Sequence, residues 1–173
     1  MIQPAIQSLA RRGLAVPALL IIVGMLLSTG AAAQGGPGEG NFESAARLIA
    51  EGTRELIDTE IEMTDAERER FWQVYEVFDR EMDLLGSQYV RLLETYFDRY
   101  LRGALTEAEA NRLIDEYLTL QIGMLRVRQK YLPEFRKVIG GVRSAQLYQL
   151  QNKVKAEVDA ALAEVVPLAE VEP

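Results

Sequence analysis

Apolar residues return at alternating steps of four and three through the middle of the chain. The series is Phe71, Tyr75, Phe78, Met82, Leu85, Tyr89, Leu92 and Tyr96. This spacing follows one face of an α-helix and matches the heptad pattern of a coiled coil or a packed helical hairpin. It predicts a long helix that starts at Thr64 and runs to about Leu101, where Gly103 stops it.

The helix start and the apolar series that follows it occur a second time, 42 residues further along the chain. "MTDAERERF" starts at Met63 and "LTEAEANRL" starts at Leu105, and each phrase places a Glu three residues after a Thr. That arrangement is a capping box, in which the Thr side chain accepts from the backbone of the Glu and the Glu reaches back to the Thr backbone. The pairs are Thr64 with Glu67 and Thr106 with Glu109. The shift also aligns the second apolar series with the first: Leu113, Tyr117, Leu120, Met124, Val127 and Tyr131.

Two related long helices joined by the short connection "RGAL" predict an antiparallel hairpin. Helical spacing also precedes it, at Leu48, Ile49, Leu56, Ile57 and Ile61, and follows it in "SAQLYQLQNKVKAEVDAALAEVV", which Pro167 ends. We expect a kink or break near Pro133 and a clearer one at Gly140–Gly141. No segment alternates like a strand. The predicted fold is all-α: an elongated bundle of about four helices built on the hairpin.

The N-terminus has the pattern of a secretory signal. Arg11 and Arg12 precede a mostly apolar run and then "AAAQ", which favours cleavage between Ala33 and Gln34. An uncleaved anchor is the alternative, and the choice between Sec and Tat export stays open. We therefore divide the chain into a signal peptide at 1–33, a flexible Gly-rich leader at 34–43, one helical domain at 44–166 and a flexible acidic tail at 167–173. Export places the protein in a Gram-negative-type periplasm, with no membrane attachment after cleavage.

Charge is unevenly distributed. Residues 39–120 hold 20 acidic and 9 basic residues, whereas residues 121–155 hold one acidic and eight basic residues. Such asymmetry indicates either a partner of opposite charge or acidic and basic segments that face each other within one bundle. Nucleic acid is disfavoured by the net charge of −7.

The residue inventory excludes most enzymes. The chain has no His and no Cys, so the usual general base, the usual zinc ligands, thiol nucleophiles, disulfides and a lipoprotein acceptor are all missing. No Gly-rich phosphate-binding motif and no calcium-binding loop occurs. We expect no catalysis, no cofactor and no metal.

Each predicted long helix carries more large apolar residues than a narrow contact face needs. They are Trp72, Val74, Val77, Leu84, Val90, Leu93, Phe97 and Tyr100 on the first, and Ile114, Leu118, Ile122 and Leu125 on the second. The flanking helices, a second protomer or a bound client could cover them, and an exposed apolar area rimmed by charge would mark a binding surface.

These features together resemble the Spy/CpxP family of periplasmic proteins, also called LTxxQ proteins. The resemblance rests on Met63, Thr64 and Glu67 and on Leu105, Thr106 and Glu109, and it spans roughly residues 44–160. Glu replaces the Gln of the motif in both copies, and Met63 replaces the first Leu. The family implies a four-helix protomer, a thin, curved antiparallel dimer, and ATP-independent binding of unfolded envelope proteins on its concave face. Some members instead restrain an envelope-stress sensor kinase, and some bind zinc, which a chain without His or Cys does not fit.

The leading hypothesis is therefore a holdase-type periplasmic chaperone for unfolded or partly folded envelope proteins, in homodimeric form. The alternative is a regulatory partner of the periplasmic domain of an envelope-stress sensor kinase, and a third possibility is a purely structural dimer. The predicted client or partner surface is formed by Trp72, Phe97, Tyr100, Leu118, Ile122, Arg126, Arg128, Lys130, Arg136, Lys137 and Arg143.

Overall fold

Three helices make up the part of the chain that a computed structural model describes, residues 41–169. They are α1 (Asn41–Glu60), α2 (Asp65–Leu101) and α3 (Glu107–Val165), and no strand occurs among these residues. The all-α prediction is confirmed. The predicted signal peptide and the leader up to residue 40 lie outside the described residues, as do residues 170–173 of the tail.

The helix α1 begins earlier than the sequence pattern predicted. Residues 41–43, which were predicted as part of the flexible leader, already belong to α1. The glycine-rich composition ends at Gly40, and residues 41–43 contain neither glycine nor proline. Within α1, Ile57 is fully buried, and the Thr53 hydroxyl donates a hydrogen bond to the Ile49 carbonyl at 2.7 Å.

The described residues divide into two compact units. One contains residues 41–60 and 150–165, and the other contains residues 61–149 together with 166–169. The second unit holds α2 and the first part of α3, and it carries the candidate surface described below.

The second unit is built on the predicted antiparallel hairpin. Residues further along α2 contact residues that come earlier in α3, as expected for antiparallel helices: Phe78 contacts Tyr131, Tyr89 contacts Tyr117, and Arg99 contacts Glu109. The connection turns at Gly103, whose φ of +59° is a left-handed conformation that glycine adopts without steric cost. The hairpin prediction and the end of α2 at Leu101 are therefore confirmed.

One end of the hairpin is packed with aromatic rings. Phe135 on α3 lies 5.6 Å from Phe71 and 5.5 Å from Phe78, measured between ring centroids, and Tyr131 lies 5.6 Å from Phe78. Phe71 and Phe135 are fully buried. Offset and edge-on contacts of this kind add to the free energy gained by burial.

The other end of the hairpin is packed with aliphatic residues. Leu92, Leu113 and Leu120 form a buried cluster, with Leu85, Tyr89, Tyr96 and Leu105 packed against it. One member of the predicted second series departs from the pattern: Tyr117 is 40% exposed, and its ring contacts Tyr89 at the rim. The aligned residue in the first series, Tyr75, is buried, so the repeat in sequence is only partly a repeat in burial.

The break in α3 lies at Gly140 and not at Pro133. Gly140 has φ 75° and ψ 172°, a conformation that is nearly restricted to glycine, whereas the backbone stays helical through Pro133. The loss of one hydrogen-bond donor at Pro133 is offset by the burial of Tyr131 and Phe135 on either side. At the break, the side chains of Arg143 and Ser144 donate hydrogen bonds to the carbonyls of Ile139 and Gly140, both at 2.7 Å.

The segment after α3 is held at its first residues. Helix α3 ends at Val165, and the Tyr96 hydroxyl donates a hydrogen bond to the Pro167 carbonyl at 2.6 Å. The tail that was predicted to be flexible from residue 167 thus contacts α2 at its first residue, and its flexibility stays a prediction.

Candidate partner-binding surface

The first copy of the repeated motif forms a complete capping box at the start of α2. The Thr64 side chain accepts from the Glu67 backbone at 3.3 Å, and a Glu67 carboxylate oxygen accepts from the Thr64 backbone at 2.9 Å. This half of the prediction is confirmed. The motif residues are used to begin a helix, and Met63 is only half-buried beside them.

The second copy forms only half of a capping box. The Thr106 side chain accepts from the Glu109 backbone at 3.3 Å, but the Thr106 backbone N–H donates to the Ala104 carbonyl. The Glu109 carboxylate instead accepts from Arg112 at 2.9 Å and lies 3.7 Å from Arg99. The prediction of a second full box is wrong because two arginines compete for the carboxylate.

Glu67 also connects the start of α2 to the segment after the Gly140 break. Its two carboxylate oxygens accept hydrogen bonds from the two terminal nitrogens of Arg143, at 2.6 and 2.9 Å, and Arg143 additionally donates to the Glu62 carbonyl at 2.9 Å. The hydrogen bonds from Arg143, followed by those from Thr64, lower the pKa of Glu67 from 4.5 to about 2. A bidentate pair of this type fixes orientation as well as charge.

A second ion pair joins the acidic and basic halves of the hairpin. Glu81 on α2 accepts from the Lys130 ammonium and from the Tyr131 hydroxyl, both at 2.6 Å. The Lys130 hydrogen bond is the main cause of the lowered pKa of Glu81, and the same contact raises the pKa of Lys130. Of the two charge arrangements left open by the sequence, mutual neutralisation therefore holds for Lys130 and Arg143.

The rest of the basic segment is mixed. Lys137 pairs with Glu134 at 2.7 Å, and the Arg128 guanidinium lies 5.0 Å from the centre of the Tyr148 ring. Arg126 and Arg136 are exposed, and neither forms an ion pair within residues 44–169. The predicted basic surface thus reduces to a few cations whose charge is available to a partner.

The predicted apolar surface residues fall into two groups. Phe97 is 8% exposed, and Trp72 and Tyr100 are half-buried, with Trp72 edge-on to Phe71 at 5.1 Å. Phe97 is therefore a core residue, and its assignment to the surface was wrong, because its position on α2 turns it inward. Leu118 and Ile122 are exposed, as predicted.

A continuous apolar stripe runs along the first part of α3. Ile114 is 56% exposed, Leu118 51%, Ile122 51% and Leu125 55%. Their spacing of four, four and three residues keeps them on one face of the helix, over about 16 Å at 1.5 Å per residue. We call these four residues the α3 stripe. Other exposed apolar residues of the hairpin include Leu84 on α2, at 67%, and Tyr117 on α3, at 40%.

The α3 stripe could be recognised from the sequence only in part. The excess of apolar residues beside the second series was visible, and all four members of the stripe were noted there. Which of them would stay exposed depended on what the rest of the chain covers, and periodicity carries no information about that. The Glu67–Arg143 and Glu81–Lys130 pairs were also missed, because charge composition does not specify pairing.

No group of three or more carboxylates among residues 44–169 is arranged to hold a metal ion. Between residues 41 and 169, no helix combines the length and apolar character needed to cross a membrane. Comparison with protein-family models, with curated proteins and with solved structures found no match to the chain.

Proposed function

We propose that this protein is an ATP-independent, holdase-type chaperone that binds unfolded or partly folded proteins of the bacterial cell envelope on the α3 stripe. The observation that carries the proposal is the exposure of four large aliphatic side chains in line on one helix face. Large exposed apolar surfaces on soluble proteins mark sites of interaction. An unfolded client offers apolar segments in no fixed geometry, so a flat aliphatic stripe suits it better than a shaped pocket.

The charges near the α3 stripe favour loose capture over tight docking. Asp115 and Arg126 are exposed close to its two ends. Charges of both signs steer the approach of polar chains without fixing one register. The proposed setting is the periplasm, reached through the predicted signal peptide. The proposed assembly is a bundle of about four helical segments in a curved dimer, as the family resemblance implies.

Light scattering by a client that unfolds on reduction tests this proposal. We expect the purified protein, without ATP, to suppress client aggregation at near-stoichiometric ratios. The variant L118S/I122S should lose most of that suppression. The variant L84S is the control, because it removes from α2 a leucine that is even more exposed than Leu118, and it should behave like the wild type. Equal activity of all three proteins, or no suppression by the wild type, would overturn the proposal.

The alternative function, restraint of a sensor kinase, makes a different prediction. The exposed cations Arg126 and Arg136 would then dock one folded receptor domain in a specific and saturable manner. A calorimetric titration of that domain against the protein separates the two functions. A holdase binds many unfolded chains and no particular folded one. Saturable binding to a folded receptor that R126E/R136E abolishes would favour the regulatory function.

A further inference from the structure

Two stacked tyrosine rings lie near the C-terminal end of α2. The ring centroids of Tyr96 and Tyr100 are 6.2 Å apart, and the two ring planes differ by 23°. A spacing of four residues makes them neighbours on the helix surface. The buried Phe97 lies edge-on to Tyr96 at 6.2 Å, and Tyr96 also packs against the aliphatic cluster of the hairpin. The Tyr96 ring is therefore held in place by core residues, and we call Tyr96 and Tyr100 the tyrosine platform.

The polar edge of the platform is directed at the end of the chain. The Tyr96 hydroxyl donates a hydrogen bond to the Pro167 carbonyl at 2.6 Å, across 71 positions of sequence, and this contact is partly buried. Burial is the main cause of the raised pKa of Tyr96, followed by the charge of Tyr100. A hydrogen bond that is partly shielded from water is electrostatically stronger than one in open solvent. The platform thus combines a ring surface with a sheltered donor for a backbone carbonyl.

The segment that the platform contacts is not helical. Helix α3 ends at Val165, and residues 167–169 have no regular secondary structure. Pro167 fixes its own φ at about −65° and disfavours helical backbone at Val166. Residues 166–169 belong to the same compact unit as α2, whereas residues 150–165 belong to the other unit. Because Leu168 is 88% exposed, its burial does not hold this segment in place, and the hydrogen bond to the Pro167 carbonyl is the contact that does.

Rings and a carbonyl-directed donor are the features that recognise proline-containing peptides. Proline segments keep an extended backbone with no internal hydrogen bonds, so their carbonyls stay open to outside donors. They also have little conformational freedom to lose on binding, and they dock on surfaces lined with aromatic side chains. The end of this chain contacts the tyrosine platform in the same way, with Pro167 half-buried and its carbonyl bonded to Tyr96.

We propose that the tyrosine platform is a docking site for extended, proline-containing peptide segments, and that residues 166–169 occupy it as a built-in ligand that the segment of a partner displaces. The inference does not depend on the α3 stripe or on the proposed function. A segment joined to the folded chain has an effective concentration of about 1 mM at its own site. The same segment as a free peptide should therefore bind with a dissociation constant below that value.

Fluorescence anisotropy of a labelled peptide with the sequence of residues 163–173 tests the site. Binding to the wild type should be weak, because its own tail competes. The full-length variant V166G/P167G/L168G, here called the glycine variant, gives the tail more conformational freedom to lose on docking. It should bind the peptide at least about tenfold more tightly than the wild type does, because the competing segment is then mostly displaced. Circular dichroism checks that each protein stays helical.

Two substitutions in the glycine variant locate the site. Y96F removes the donor and keeps the ring, and it should return peptide binding to the wild-type level or below. Y117F is the matched control, because Tyr117 is an exposed tyrosine of the same hairpin that contacts Tyr89, and it should leave binding unchanged. A peptide with the change P167A should bind the glycine variant about two- to fivefold more weakly, because the free peptide then has more conformations to lose.

Each part of the inference has a result that would overturn it. Equal peptide binding by the wild type and the glycine variant would show that the tail does not occupy the site. Equal binding with and without Y96F would show that the site is elsewhere. A dissociation constant above about 1 mM for the glycine variant would rule out docking, and equal binding of the proline and alanine peptides would overturn the preference for proline. Client aggregation enters none of these measurements, so the proposed function is tested separately.

Discussion

Glu67 and Arg143 are 76 positions apart in the chain, yet their side chains form a bidentate pair with contacts of 2.6 and 2.9 Å. Glu67 also completes the N-terminal cap of α2, and Arg143 lies three residues after the break at Gly140. One carboxylate thus serves both the start of one helix and the restart of another. The contact joins α2 to α3 at the end of the hairpin where the aromatic rings pack.

The pair predicts how stability depends on pH. The folded-state pKa of Glu67, about 2, lies below its ordinary value of 4.5, so its contribution to stability is fully present above pH 4.5 and is lost as the pH falls toward 2. The variant E67Q lacks this contribution at every pH. Its melting temperature should therefore be lower than that of the wild type at pH 7 and should fall less steeply between pH 4.5 and 2.

Thermal melts followed by circular dichroism measure this difference. The variant E109Q is the control, because Glu109 occupies the same position in the second copy of the motif but does not reach its own Thr106 backbone. The melting temperature of E109Q should fall between pH 4.5 and 2 nearly as much as that of the wild type. Parallel pH curves for E67Q and the wild type would show that the Arg143 contact contributes nothing in solution.

The break in α3 predicts opposite effects for two adjacent glycines. G140A should lower the free energy of unfolding by about 1–3 kcal/mol, because alanine is strained in the conformation that Gly140 adopts. G141A should raise it by about 0.4–1 kcal/mol, because nothing lies within 4 Å of an added Cβ there and alanine restricts the unfolded chain. Urea unfolding of G140A and G141A measures both changes in the free energy of unfolding. A stabilised G140A would mean that α3 is continuous in solution.

The aromatic cluster predicts where the hairpin is most sensitive to truncation. F135A should lower the free energy of unfolding by about 3–5 kcal/mol, since Phe135 is fully buried among Phe71, Tyr75 and Phe78. V142A, at an exposed position in the same helix, should stay within about 0.5 kcal/mol of the wild type. Denaturant unfolding followed through Trp72 fluorescence reports on both, because Trp72 packs on Phe71. A loss below about 1 kcal/mol for F135A would contradict this packing.

The sequence predicted those features that depend on neighbouring residues. The start of α2 after Thr64, its end at Leu101 and the break at Gly140 each follow from local chemistry, and the heptad spacing predicted the hairpin. Features that depend on distant parts of the chain were predicted poorly. Phe97 turned out buried and Tyr117 exposed, because burial depends on what packs against each position. Pro133 remained helical because the packing of its neighbours outweighed a local preference.

The central claim is that unfolded clients bind the α3 stripe, and site-specific photo-crosslinking tests it most directly. A photoreactive residue is placed at position 118 in one protein and at position 84 in another, and each is mixed with a client in its native or its reduced, unfolded form. Strong crosslinking from position 118 to the unfolded client alone, with little from position 84, is the expected result. Equal crosslinking from both positions, or equal crosslinking to native and unfolded client, would contradict the claim.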